Sequence, residues 1–459
     1  MVVGLALSGG GVTACVCALC LLDALGPLGP DVVVSTVSGG TLGYLLHVNA
    51  PRFKNLTYPE TGPNATYESL REARANDGEA WFAQIVREIP DGSRAHAARA
   101  ARRGRDAPGE GRAAADARRT EVDMRRTAAD ARRTEEVANA RAASPDKENR
   151  TAVGTVYGWW EAALDAAALS AYAVEPWALV AGDRAWTAGA ALLDTGAAPI
   201  SRDADGVYGA AAARLRPVDV AMAATPRAST PGLRGANVTL PADFSLMNAA
   251  SFSSAFWAAA IVESGAEYAL LKDELITLPS AAGDDAIVLD GGMVDTTGIA
   301  ALLRRRATTV VAFYDNNNGG VAAQPASLAY LFGAAGPTDS MNAVAGPDVL
   351  AVFDGALWPA ALANLTAGTR AALRGVRVAA NAYLGVEAYV LDELLVFPLE
   401  RSPSFLASFA DPAVAANVAD DWPNAMALSM DPFAANLLCA DARWKVGRHR
   451  AELAALSPA

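Results

Sequence analysis

The sequence predicts an α/β protein whose sheet is mostly parallel and is covered by helices on both faces. Near the N-terminus, apolar strand-like runs at about 2–8 and 32–37 alternate with helix-compatible segments at about 12–25 and 40–48. Strands that are apolar throughout, without polar alternation, are typical of parallel strands buried on both faces. Further strands are predicted at 218–223, 286–289, 308–313 and around 387–397.

One domain is predicted over residues 1–459, interrupted at about 94–150 by an insertion rich in Ala and Arg. The insertion repeats a seven-residue pattern over 115–135, and its 15 basic and 10 acidic residues give it a net charge of +5. Its apolar positions do not form a coiled-coil seam, so we expect a solvated helix or a disordered segment. A partner-binding element and a contact with anionic membrane are the alternatives. Residues from about 320 to 459 are apolar and irregular, and we expect them to pack on the same domain.

The composition argues against several classes of protein. A net charge of −12 argues against nucleic-acid binding, which favours a basic surface. We find no convincing transmembrane segment and no leader peptide, and we therefore expect a cytoplasmic protein that is at most peripheral at membranes. Cys15, Cys17 and Cys20 crowd into one apolar helical segment, which predicts small buried side chains rather than a disulfide framework. Because no histidine lies near these cysteines in the sequence, we predict no metal site.

A first motif, "LALSGGGVTA" at residues 5–14, places three consecutive glycines between a strand and a helix. Glycines leave backbone N–H groups uncovered, and a helix N-terminus adds partial positive charge in the same place. Such a loop can hold a phosphate or stabilise an oxyanion. Gly9, Gly11 and Ala14 also satisfy the dinucleotide-binding pattern G-x-G-x-x-[GA].

A second motif, "VSTVSGGTLG" at residues 34–43, tests the dinucleotide interpretation. A dinucleotide fold places an acidic residue at the end of the second strand, but that strand ends at Ser38, and Asp31 lies before it. Strand, serine, glycine and helix in this order are instead typical of a nucleophile elbow, a tight turn that exposes the serine hydroxyl. The alternative is a serine that caps the following helix.

A serine nucleophile needs a base, and histidine is poorly supplied. His47 is too far along the helix that follows Ser38, His96 lies in the insertion, and His449 is the remaining histidine candidate. The segment "AIVLDGGMVDTTGIAALLRR" at 286–305 supplies an aspartate, because Asp290 ends a short apolar strand and two glycines follow it. Asp295 fits the start of the next helix and is the weaker catalytic candidate.

Together, these motifs resemble those of the patatin-like and cytosolic phospholipase A2 lipid acyl hydrolases. "SGGG" beginning with Ser8, "VSGGT" at 37–41 and the distant Asp-Gly-Gly occur in the order of that family. The segment "SFSSAFWAAAI" at 251–261 is similar to the family's small-residue segment near the active site. The resemblance covers about residues 2–48 and 245–315.

The resemblance implies a Ser-Asp dyad in a three-layer α/β/α sandwich with a central, mostly parallel sheet. Ser38 would attack an ester carbonyl, and Asp290 would accept its proton and later activate water. Backbone amides of Gly10, Gly11 and Gly39 would stabilise the oxyanion. The implied chemistry uses no cofactor and no metal. It releases a fatty acid from a phospholipid or another acyl lipid at a membrane or lipid-droplet surface.

Two positions depart from the family pattern. Thr13 stands where the family has an arginine associated with the head group, so phospholipid, galactolipid, lysolipid and neutral glyceride all stay open as substrates. Thr36 stands where the pattern G-x-S-x-G has its first glycine. From the resemblance we expect Thr13, Ser253 and Ser254 to line the substrate site. The alternative functions are an acyltransferase and a catalytically silent member that binds lipid or a protein partner.

Overall fold

The computed structural model describes most of the segments that carry the predicted motifs. The described residues are 2–49, 64–72, 186–193, 215–222, 227–229, 237–239, 246–254, 276–279, 285–315, 326–334, 347–367, 370–399, 401–423 and 432–457. The predicted insertion at about 94–150 lies outside them, and so does His96.

The strands of the described residues form one 11-stranded sheet. They are β1 (Val3–Leu7), β2 (Val32–Val37), β3 (Trp186–Leu193), β4 (Leu215–Met222), β5 (Arg227–Ser229), β6 (Asn237–Thr239), β7 (Ile276–Pro279), β8 (Asp285–Asp290), β9 (Thr309–Tyr314), β10 (Ala371–Val378) and β11 (Tyr389–Pro398). The main path of the sheet runs β10-β11-β9-β1-β2-β3-β4-β5-β6, and β8 pairs with both β3 and β7.

The described residues form twelve helices. They are α1 (Gly11–Leu25), α2 (Gly39–Asn49), α3 (Tyr67–Glu72), α4 (Leu246–Ser253), α5 (Ile299–Arg304), α6 (Ala326–Leu331), α7 (Pro347–Leu350), α8 (Trp358–Thr366), α9 (Pro403–Leu406), α10 (Pro412–Asp420), α11 (Pro432–Arg448) and α12 (Arg450–Leu453). Short 3₁₀ turns cover Gly291–Met293 and Gly355–Leu357.

The centre of the sheet is parallel. The strands β11, β9, β1, β2 and β3 are neighbours in this order, and each adjacent pair runs in the same direction. Both β1 and β9 are buried along their whole length, because the sequences VGLAL and TVVAFY put apolar side chains on both faces. The predicted α/β class is therefore confirmed. The described strand pairs outside this centre are antiparallel.

Helices pack on both faces of the parallel strands. On one face, Leu302 of α5 and Trp358 of α8 share an apolar cluster with Val396 of β11. Side chains alternate along a strand, so the next residue, Phe397, points to the opposite face. There its ring contacts His449, which directly follows α11, and α11 packs against α1. The sheet is therefore covered from both sides.

The first two strand-helix units lie where the sequence predicts them. Helix α1 is mostly apolar and packs against α2 and α11, and it ends at Gly26 with a φ of 75°. This left-handed conformation suits glycine and lets the N–H of Gly26 bond back to Asp23 and Leu22. The later predicted strands overlap β4, β8, β9 and β11.

The sequence predicts small buried side chains rather than a disulfide framework for Cys15, Cys17 and Cys20, but one of these three forms a disulfide. Cys20 in α1 is bonded to Cys439 in α11, across a sequence separation of 419 residues. Its partner was not recognisable in sequence, because only the packing of the two helices brings the two residues together. Cys15 and Cys17 are buried free cysteines, as expected.

The C-terminal part contains more regular structure than its sequence pattern indicates. β11 continues the parallel sheet beside β9, and β10 adds an antiparallel strand at the edge. A second apolar cluster unites Leu70 of α3 with Phe405 of α9 and Leu437 of α11. Residues of the N-terminal and C-terminal thirds thus share a core.

Candidate active site

Ser38 sits in a strained turn between β2 and α2. Its φ of 50° places a non-glycine residue in the left-handed region. Non-glycine residues adopt this conformation at a cost in free energy, and such positions cluster at functional sites. A strand that ends in a serine with positive φ and continues directly as a helix is the geometry of a nucleophile elbow. The turn predicted from "VSGG" is therefore present.

The glycines after Ser38 are required by close contacts with backbone atoms. A Cβ atom on Gly39 would lie 1.9 Å from the carbonyl oxygen of Gly11, and one on Gly40 would lie 2.6 Å from the carbonyl oxygen of Leu7. Neither position tolerates a side chain without movement of the main chain. The Ser-Gly-Gly sequence thus lets the turn lie directly against the end of β1 and the glycine loop.

The glycine loop, defined as residues 8–11, is held beside Ser38. The N–H of Gly9 donates to the carbonyl oxygen of Thr296 at 2.9 Å. A Cβ atom on Gly9 would lie only 3.1 Å from the Cβ of Ser38. Gly10 and Gly11 have φ values of 148° and 63°, within the range that favours glycine. Two of the three glycines thus allow the backbone geometry, and Gly9 allows the close approach to the serine.

Two helix N-termini meet at this point. Gly11 is the first residue of α1 and Gly39 is the first residue of α2. The first N–H groups of an α-helix have no acceptor within the helix, and they carry the positive end of the helix dipole. The predicted oxyanion donors are therefore at helix N-termini, because Gly11 and Gly39 begin helices and Gly10 directly precedes α1.

Asp290 is the hydrogen-bond partner of Ser38. The Ser38 hydroxyl donates to Asp290 Oδ2 at 2.9 Å, across 252 residues of sequence. The other carboxylate oxygen, Oδ1, accepts from the N–H of Gly292 at 2.8 Å. Both side chains are buried, with Ser38 9% exposed and Asp290 4% exposed. The structure thus brings together the two residues that the sequence selected.

The route by which Asp290 reaches Ser38 differs from the expected one. The sequence predicts a mostly parallel sheet and a strand that ends at Asp290, but this strand, β8, runs antiparallel to β3. β4 covers one edge of β3 along its full length, and β2 and β8 share the other edge. Val37 of β2 pairs with Gly189, and Asp290 of β8 pairs with the next residue, Ala190. The two strands therefore meet end to end, and their last residues face each other.

Burial raises the pKa of Asp290 to about 7, because the folded protein withdraws water from the carboxylate. The hydrogen bonds from Gly292 and Ser38 favour the charged form and oppose this rise. A carboxyl group with a pKa near neutrality is partly deprotonated at neutral pH and can take up a proton there. Its environment therefore suits a general base.

Asp295 serves the start of α5. Its Oδ2 accepts from the N–H of Ala300 at 3.0 Å, and its Oδ1 accepts from the N–H of Thr297 at 2.9 Å. The residue directly before the helix is Gly298, with a φ of 69°, so Asp295 provides the capping acceptor from further back. The interpretation of Asp295 as a residue of the helix start is confirmed, although the N-cap position itself is Gly298.

The described residues include two histidines, His47 and His449, and the Ser38 hydroxyl donates to Asp290 rather than to either of them. The ring of His449 packs on Phe397 with 5.2 Å between centroids, and its Nδ1 lies 3.4 Å from Glu452 Oε2. Burial lowers the pKa of His449. His47 lies in the last turn of α2. Since the single hydroxyl proton of Ser38 is directed to Asp290, the geometry favours the aspartate as base.

The residues predicted to line the substrate site differ in their placement. Ser253 is buried and accepts a hydrogen bond from the backbone N–H of Ser38 at 3.1 Å. Ser254 donates to the carbonyl oxygen of Ala250 within its own helical turn at 2.5 Å. Thr13 is buried in the first turn of α1. A contact between these residues and substrate stays a prediction.

Asp315 is a residue near the site that sequence reasoning missed. Its backbone N–H donates to Ser8 Oγ at 2.7 Å, and its buried carboxylate fills the space beside Gly10. A Cβ atom on Gly10 would lie 2.0 Å from Asp315 Oδ2. The signal was its position directly after β9, because β9 is the parallel neighbour of β1 and their carboxyl ends coincide.

Among the described residues, no group of three or more His, Cys, Asp or Glu side chains is arranged to hold a metal ion. None of the helices placed there is long and apolar enough to cross a membrane.

In comparisons with known proteins, no family model matches the chain and no curated sequence matches it.

Proposed function

We propose that this protein is a serine lipid acyl hydrolase with a patatin-like, three-layer α/β/α fold. In this proposal it is a carboxylic ester hydrolase of the phospholipase A2 type. The observation that carries the proposal is the 2.9 Å hydrogen bond from Ser38, in its strained turn, to the buried carboxylate of Asp290. The glycine loop beside the turn supports it, because ester hydrolysis needs a place for a transient negative charge.

In the first step, Ser38 Oγ attacks the ester carbonyl carbon and its proton passes to Asp290 Oδ2. The carbonyl oxygen becomes an oxyanion that the N–H groups of Gly10, Gly11 and Gly39 stabilise. Collapse of this intermediate breaks the ester bond. The leaving alcohol takes the proton from Asp290, and the acyl group stays on Ser38 as an ester.

In the second step, a water molecule attacks the acyl-enzyme while Asp290 accepts one of its protons. The fatty acid leaves, and the proton returns to Ser38 Oγ. No cofactor is needed for either step. The proposed substrate is an acyl lipid at a membrane or lipid-droplet surface, with the head group left open by Thr13.

The test is fatty-acid release from a panel of phospholipid, galactolipid, lysolipid and monoglyceride substrates. We expect Ser38→Ala and Asp290→Asn to lose about 10³-fold or more of the wild-type rate, as removal of a nucleophile or its base does elsewhere. Asp295→Asn is the matched control, because it weakens the start of α5 and leaves the dyad in place. Its rate should stay close to that of the wild type.

Each other outcome points to a specific alternative. No release by folded wild-type protein that binds lipid vesicles would replace the proposal by a silent lipid-binding function. If an added alcohol receives the acyl group and forms a new ester in preference to hydrolysis, the protein is an acyltransferase. Full activity of Ser38→Ala would reject the dyad altogether.

A further inference from the structure

Three buried hydroxyl groups form a chain beside the turn that carries Ser38. Thr36 Oγ1 and Thr41 Oγ1 share a hydrogen bond at 3.0 Å, and Thr41 Oγ1 and Ser253 Oγ share one at 2.8 Å. All three residues have an exposed fraction of 0%. Thr36 lies two residues before Ser38 and Thr41 lies three residues after it. The chain therefore joins both sides of the turn to Ser253.

The chain ends on the nucleophile itself. The backbone N–H of Ser38 donates to Ser253 Oγ at 3.1 Å, although 215 residues separate the two in sequence. Ser38 directly follows the last residue of β2, and a buried N–H without an acceptor is costly. Ser253 supplies that acceptor at the residue whose backbone is strained.

Helix α4, which ends with Ser253, also connects the two halves of the dyad. It contacts α2, which follows Ser38, and β8, which ends with Asp290. Ser253 is buried and its oxygen is engaged with Ser38 and Thr41. These contacts suit a group that fixes the turn better than one that touches a lipid.

We propose that Ser253 is a positioning residue that holds the backbone of Ser38 in its reactive conformation, together with Thr41. This inference rests on the proposed function of the dyad. Without the acceptor, the turn can relax and move Ser38 Oγ away from Asp290 and the glycine loop. Substrate binding should be unaffected, because the Ser253 hydroxyl is turned toward the protein.

The experiment uses the full chain with two probes, a fluorophosphonate that labels activated serines and a short p-nitrophenyl ester. For Ser253→Ala we expect kcat and the labelling rate constant to fall about tenfold with KM unchanged, as expected when an interaction expressed in the transition state is lost. Ser251→Ala is the matched control, because Ser251 is equally buried in α4 and its Oγ has no hydrogen-bond partner among the described residues. It should stay within about twofold of the wild type.

A second pair of variants guards against misfolding of Ser253→Ala. Thr41→Val removes the hydroxyl at nearly constant volume, and Thr41→Ser keeps it. We expect the valine variant to lose labelling rate in the same direction and the serine variant to retain most of it. The labelling amplitude gives the folded fraction of each protein, and the rate constant reports the positioning.

The outcomes separate this inference from the proposed function. If the wild type is not labelled at Ser38, the proposed function fails. If the wild type is labelled and Ser253→Ala reacts as fast as Ser251→Ala, the inference is overturned. A rise in KM with unchanged kcat would also overturn it, because that pattern assigns Ser253 to substrate binding.

Discussion

The contact between Gly39 and Gly11 offers a sharp test of how the site is built. In Gly39→Ala, the new Cβ would lie 1.9 Å from the carbonyl oxygen of Gly11. Gly39 is the first residue of α2 and is not among the glycines with positive φ, so alanine can adopt its backbone conformation. The collision with Gly11 is therefore the main effect of the substitution.

The size of the effect follows from the distance. Real Cβ contacts essentially never fall below 3.0 Å, so the backbones of Gly39 and Gly11 must separate by about 1 Å. Overpacking of this kind lowers the free energy of unfolding by about 1–3 kcal/mol. A displacement of about 1 Å at a catalytic group can cost about 10²-fold in rate. We expect kcat of Gly39→Ala on a short ester to fall by that order.

The assay combines ester turnover with urea unfolding, and Gly447→Ala is the control. Gly447 lies in α11, and a Cβ atom there would meet nothing within 4 Å. Replacing a helical glycine by alanine should raise stability by about 0.5–1 kcal/mol without changing turnover. If Gly39→Ala matches Gly447→Ala in both rate and stability, the glycine loop does not touch the turn and our account of the site is refuted.

Three further predictions follow from the surroundings of Asp290 and Cys20. Ester turnover should rise with pH through about 7 as Asp290 loses its proton, and a rate that is flat across this range would speak against Asp290 as base. The free energy of unfolding should change in the opposite sense, because the pKa of Asp290 in the folded protein is raised above the ordinary aspartate value of 3.8. Its stabilising contribution is complete below about pH 4 and is lost as pH rises to about 7, by at most about 4 kcal/mol, so urea midpoints of Asp290→Asn should lack this slope. Finally, Cys20→Ser should lower the melting temperature through loss of the bond to Cys439, and non-reducing peptide mapping of the wild type should find that linked pair.

The sequence predicts the local part of this structure well. Over residues 2–48, the strands and helices can be recognised from the hydrophobic pattern of residues close together in sequence. The observed elements begin and end within about two residues of the predicted ones. Ser38 and Asp290 could also be predicted from the sequence, because a serine before two glycines and an aspartate before two glycines each mark a turn at a strand end.

Interactions between distant residues could not be predicted in the same way. Ser253 looks like one of several small residues in "SFSSAFW", and its bond to the N–H of Ser38 depends on where α4 packs. Cys439 and Asp315 become relevant only once α11 lies on α1 and β9 lies beside β1. The direction of β8 belongs to the same class, because a short apolar run carries no information on whether it pairs parallel or antiparallel.

Because β2 and β8 meet end to end along β3, the pairing register of β3 determines the distance between Ser38 and Asp290. Neither Ser38 nor Asp290 belongs to β3, yet the step from Gly189 to Ala190 sets their separation. Adding or deleting one residue in β3 would shift one strand against the other by about 3.3 Å, more than the length of the hydrogen bond between the two side chains. A strand of eight residues that contains neither member of the dyad must therefore keep its number of residues for the hydrogen bond to form.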